Sequence, residues 1–177
     1  MKHSTLNITD FTPPAATSDS LIDAPYLRAV AELAQTRGNV RFTPGGGILF
    51  HTPISRDERR ALPEPQNIPP RYIDLPMDRF NRVVAAKSAF GDLVAKYTVP
   101  HLRDGYKLVV IPLSGPLSAS QLRTIANCAE TFGHGTLRLT ADVSIRLPNV
   151  PAALLRPLFR LLEASGLVSA RVFKQAA

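Results

Sequence analysis

The spacing of apolar residues changes period repeatedly along the last third of the chain. "YKLVVIPL", residues 106–113, is apolar on both faces, the pattern of a central strand. Ser118 followed three residues later by Gln121 has the form of a capping box, and Leu122, Ile125, Ala126, Ala129 and Phe132 then recur at helical spacing until Gly133. "GTLRLTADVSIRLP" alternates with period two, and the alternation selects a register. A two-residue loop at Ala141 and Asp142 would set Leu137 against Arg146 and mix both faces. A three-residue loop, Ala141 to Val143, pairs Leu139 with Ile145, Leu137 with Leu147 and Arg138 with Arg146, which leaves one face wholly apolar. Leu154, Leu155, Leu158, Leu161 and Leu162 predict a second helix up to Gly166, kinked or started late at Pro157, and "LVSARVF" predicts a last strand.

The predicted order is β-α-β-β-α-β, an α+β fold of the ferredoxin-like kind, with two helices over one sheet face and the other face left for a further contact. Upstream, "LRAVAELAQTRGNVRFTPGGGI" from Leu27 can be laid on "LRTIANCAETFGHGTLRLTADVSI" from Leu122 with a two-residue gap. Leu27, Ala31 and Ala34 then match Leu122, Ala126 and Ala129, while Gly38, Arg41, Thr43 and Ile48 match Gly135, Arg138, Thr140 and Ile145. This predicts a degenerate helix and hairpin over residues 25–52, a possible second half-unit related to the first by a pseudo-twofold. "TPGGGI" reads as a hairpin turn; no helix follows it to cradle a phosphate. Residues 1–24, polar and Pro-rich, are expected to be a mobile arm, and the prolines of 53–77 a linker. Residues 78–177 hold a helix from about Asp78 to Tyr97 and the ferredoxin-like unit.

With 177 residues, 45% of them hydrophobic, the chain can bury a core, and its formal charge of +7 suggests an anionic partner. No stretch approaches a membrane span and the first residues lack a signal-type apolar run, so a cytoplasmic location is expected. Cys128 is the only cysteine, which excludes an intrachain disulfide and an all-cysteine iron-sulfur or zinc site within one chain. His3, His51, His101 and His134 have no metal-ligand spacing and read as solvated loop residues. No nucleophile-base-acid set can be assembled from the pattern.

The hairpin poses the chemical question. Opposed like charges are unfavourable by up to about 1 kcal/mol, so Arg138 and Arg146 make sense if an anion lies between them, because guanidinium forks match carboxylates and phosphates. The plain alternative is that both heads splay into water. Residues 104–167, and "GTLRLT" followed by an apolar strand and "NVP" above all, resemble the ferredoxin-like half-domain of the siroheme-dependent nitrite and sulfite reductases. A similar unit occurs in the related precorrin synthase.

The resemblance implies two such half-domains packed beside larger domains that hold siroheme and a 4Fe-4S cluster, and those larger domains have no counterpart in this sequence. It also implies that Arg138, with Thr140 beside it, contacts siroheme carboxylates. Two departures weaken that role: Asp142 and Val143 stand where the family has an Arg-Gln or similar pair, and Ile111 stands where its first strand offers an arginine.

The expected function is therefore a non-catalytic accessory subunit that docks on a redox enzyme, or on a second copy of itself, through an open basic sheet face. Arg138, Arg146, Thr140 and Arg41 would be its anion or cofactor-carboxylate contacts. No cofactor is expected on this chain alone, with siroheme and 4Fe-4S on a partner. The alternatives are the small chain of a split siroheme-dependent reductase, and a nucleic-acid-binding module. The hairpin argues against the latter, because RNA-recognition sheets place aromatics where this one has Arg138, Thr140, Ser144 and Arg146.

Overall fold

The computed structural model describes residues 19–44, 47–64 and 89–169. Strand β1 (Asp19–Asp23) leads directly into helix α1 (Ala24–Arg37), a short hairpin of β2 (Val40–Phe42) and β3 (Ile48–Phe50), and helix α2 (Arg56–Arg60). Helix α3 (Ala89–Tyr97), β4 (Thr98–Pro100), β5 (Tyr106–Pro112), α4 (Ala119–Phe132), β6 (Thr136–Thr140), β7 (Ser144–Pro151) and α5 (Leu155–Ala164) follow. Five strands form one antiparallel sheet in the order β1-β6-β7-β5-β4, and β2 and β3 form a second, two-stranded sheet. Among the described residues no helix is long and apolar enough to cross a membrane.

The hairpin β6-β7 has the register that its alternation predicts: Leu139 faces Ile145 and Arg138 faces Arg146. Leu137, Leu139, Ile145 and Leu147 are fully or almost fully buried, and with Val109 and Ile111 of β5 they meet Leu122, Ile125, Leu158, Phe159 and Leu162 in one core. Helices α3, α4 and α5 lie over that face. Pro157 stands in the first turn of α5, which follows a 3-10 turn at Ala152–Leu154; this late start avoids a broken hydrogen bond, since no amide is needed there.

Several boundaries differ from the sequence-based expectation. Residues 19–24 do not belong to the arm foreseen over residues 1–24: Asp19–Asp23 is a strand on the β6 edge, and Asp23 caps α1 by accepting the Tyr26 amide at 2.8 Å. Residues 1–18 lie outside the described part. Within the foreseen linker, Ser55 and Glu58 form a complete capping box that starts α2. Of the helix foreseen from Asp78, the described part is Ala89–Tyr97, and of the last strand only 167–169 are described and are not strand.

The upstream helix and hairpin mirror the downstream ones. Helices α1 and α4 are both 14 residues long, and their N-caps, Asp23 and Ser118, fall at matching positions. Leu27, Val30, Ala31 and Ala34 are buried in α1, as are Leu122, Ile125, Ala126 and Ala129 at the matching positions of α4, and the two helices pack together. The strand exchange is reciprocal: Ile22, before α1, pairs with Leu137 of the second hairpin, and Leu117, before α4, pairs with Val40 of the first. Two-way exchange of this kind is what a pseudo-twofold between half-units requires. The halves therefore join edge to edge and helix to helix. Among the described residues they do not cover each other's open sheet faces.

Candidate functional site

On the face of the main sheet away from the helices, one row of the ladder carries Arg138, Arg146 and Val110, from β6 through β7 to β5. Arg138 is exposed, Arg146 and Val110 are half-buried, and Val99 of β4 is 47% exposed. Two cations thus lie among aliphatic groups. Among the described residues no helix packs on this face.

The two arginines differ in their surroundings. Arg146 leans towards its own loop, with Nη2 at 3.5 Å from the Asp142 carboxylate, and its Nε is shielded from solvent without a partner among the described residues. The side chain of Arg138 makes no ion pair or hydrogen bond among them. Part of the like-charge cost is therefore met inside the loop by Asp142, and of the pair Arg138 is the cation left available among the described residues.

Thr140 does not have the role expected of it. It is 3% exposed, and its hydroxyl donates to the Asp142 carboxylate. Ser144 donates to the same carboxylate oxygen at 2.8 Å, and its hydroxyl oxygen lies 2.7 Å from that of Thr140. A hydroxyl has one proton to give, so neither residue retains one for an incoming anion. These two hydroxyls, then the nearby Arg146, hold the Asp142 carboxyl below the usual aspartate range. Spacing alone could not reveal this, because the commitment depends on how the loop brings the exposed Asp142 side chain back onto the two hydroxyls. The turn itself places Val143 at a φ of 56°, left-handed backbone that a β-branched residue rarely adopts.

Arg41 is placed elsewhere. It is the exposed middle residue of β2, paired with Leu49 in the two-stranded sheet, and does not join the ladder that holds Arg138 and Arg146. Ile111 points into the core and is fully buried; Val110 is the β5 residue that lies beside Arg146 on the open face. His101 is also not a simple solvated residue. Its Nδ1 accepts the Arg103 amide at 2.9 Å and its Nε2 lies 2.9 Å from the Asn149 side-chain oxygen, which fixes the neutral ring with its proton on Nε2.

The donor set does not fit an iron-sulfur cluster. Cys128 is buried in α4, burial pushes its thiol up to about 11, and no group of three or more His, Cys, Asp or Glu able to hold a metal occurs among the described residues. The fit to siroheme is little better. Of Arg138, Thr140, Ser144 and Arg146, Arg138 alone has no polar partner among the described residues, and Asp142 would oppose a carboxylate brought to Arg146.

Residues 99–165 match the family described as nitrite/sulfite reductase ferredoxin-like half domain. Among solved structures the chain is similar to the Mycobacterium tuberculosis NirA protein, with 29% identity over 44% of this chain and 14% of that one, at a TM-score of 0.37. The chain thus spans a small part of that protein's length. No curated protein sequence matches it.

Proposed function

We propose that this chain, whose residues 99–165 are a nitrite/sulfite reductase ferredoxin-like half-domain, acts as a non-catalytic accessory subunit that docks on a redox enzyme. The observation that carries the reading is a sheet face uncovered among the described residues, where Arg138, which has no polar partner among them, and a half-paired Arg146 lie in one row with Val110. A carboxylate on a partner surface satisfies Arg138 directly, and Val110, beside Arg146 on the same face, helps to exclude water from the contact. Catalysis by the chain alone is disfavoured by its residues. Multi-electron reduction needs metal centres, and neither Cys128 nor the hairpin supplies a set of ligands for them.

Purification of the chain from its native cell, with identification of co-eluting chains and an absorbance spectrum, tests this. An oxidoreductase subunit should co-elute, and the chain incubated alone with siroheme and then freed of unbound cofactor should carry no Soret band. A Soret band from the chain alone would contradict the reading. A band that forms only when both chains are mixed, and is lost with Arg138→Ala, would identify a split reductase instead.

A further inference from the structure

The pseudo-twofold sets a second exposed hairpin face against the first. The registers agree pair by pair: Arg41 opposite Leu49 corresponds to Arg138 opposite Arg146, and Phe42 opposite Ile48 to Leu139 opposite Ile145. At three positions the chemistry has changed. Leu49 replaces the second arginine, His51 follows on the same face, and the sequence counterpart of Asp142 is Gly45, which has no carboxylate to offer. Arg41 is exposed, and its side chain makes no hydrogen bond or ion pair among the described residues.

Around Arg41 lies a groove of about 410 Å³, lined by Asn39, Arg41, Leu49, Phe50, His51 and Pro116. Its volume is in the range of small-molecule sites, roughly 300–1,000 Å³. We propose that this groove binds a small organic carboxylate with an apolar body. The Arg41 guanidinium would take the carboxylate as a two-pronged pair, the Asn39 amide and the His51 ring offer further polar contacts, and Leu49, Phe50 and Pro116 pack on the body.

The walls are held in place. The His51 amide donates to the Asn39 carbonyl at 3.0 Å and the Thr52 amide to the Arg37 carbonyl at 2.8 Å, tying the end of β3 to the end of α1. Gly38 lets the chain turn there at a φ of 80°, and a Cβ on it would lie 3.0 Å from the His51 Cβ, a tight contact, so both the turn and the close approach favour glycine. Leu117, beside Pro116, is bonded to Val40 in both directions, at 2.7 and 2.8 Å. The site is therefore largely pre-formed. It does not rest on the docking proposal, which concerns the other hairpin.

The test is amide-resolved NMR of the full chain titrated with benzoate, with benzyl alcohol as the neutral analogue and inorganic phosphate as the compact anion. Benzoate should shift the amides of residues 39–41 and 49–51 saturably and bind more tightly than either comparison compound. Arg41→Ala, an exposed position, should weaken benzoate by at least about tenfold, and Arg138→Ala should leave its affinity unchanged. Absence of saturable shifts, equal affinity for benzyl alcohol or phosphate, undiminished affinity in Arg41→Ala, or an equal loss in Arg138→Ala would each overturn the proposal.

Discussion

Asp142 alters the meaning of the arginine pair. As the acid that receives Thr140, Ser144 and Arg146, it closes the loop that sets the β6-β7 register. Its folded-state carboxyl lies below the ordinary aspartate range, so the ionised form stabilises the fold. That contribution is complete above the unfolded aspartate value and is lost as pH falls through the folded one. Thermal melts across the acid range should therefore show a shallower loss for Asp142→Asn than for the parent, and the variant should already be less stable at neutral pH. Identical acid limbs would remove the loop carboxylate from the account. Val143 gives a second measurement: its left-handed backbone carries about 1–2 kcal/mol of strain, which Asn tolerates better, so Val143→Asn should leave stability unchanged or raise it despite the smaller side chain. A loss above about 1 kcal/mol would mean that packing outweighs strain at this site. The sequence made the opposition of Arg138 and Arg146 legible, because only one register keeps leucines and arginines on separate faces. It did not show that Thr140 is already committed, since a hydrogen bond inside a loop leaves no periodic trace.

At the scale of elements, capping decides where helices begin. Ser118 accepts the Gln121 amide while Gln121 returns a bond to the Ser118 amide, and Asp23 accepts the Tyr26 amide from a buried position at the end of β1. Ser118→Ala should cost about 1 kcal/mol and Asp23→Ala up to about 2 kcal/mol, read from denaturant midpoints; equal and negligible losses would contradict the assignment of both caps. The Ser118 box was visible as a motif before an apolar run. The strand before Asp23 was not, because "DSLID" has too few apolar residues to betray a strand, and its partner is an edge far away in sequence. The box at Ser55 and Glu58 was equally present, but the surrounding prolines argued for a linker. There the Ser55 amide, then Arg37, hold the Glu58 carboxyl at about 2, so this cap persists until strongly acidic pH.

For the whole molecule, α1 and α4 join the two half-units through matching positions, and one core runs through both. Leu27→Ala and Leu122→Ala, both fully buried, should each cost about 2–5 kcal/mol within a single unfolding transition. Two separated transitions would show that the halves are independent. The sequence repeat made this partition legible, whereas the manner of joining depended on the reciprocal pairing of Ile22 with Leu137 and Leu117 with Val40, which no local pattern specifies. The joined halves still leave the Arg138 row uncovered among the described residues, and the proposed function depends on that row. The most direct test is calorimetric titration of the chain into the partner that co-purifies with it, repeated with Arg138→Ala and Arg146→Ala. Arg138→Ala should weaken the complex by about 1.5–3 kcal/mol, roughly 10- to 150-fold, with thermal stability unchanged or slightly raised, and Arg146→Ala, whose charge is partly met by Asp142, should have a smaller effect. Affinity unchanged in both variants would contradict the proposed function.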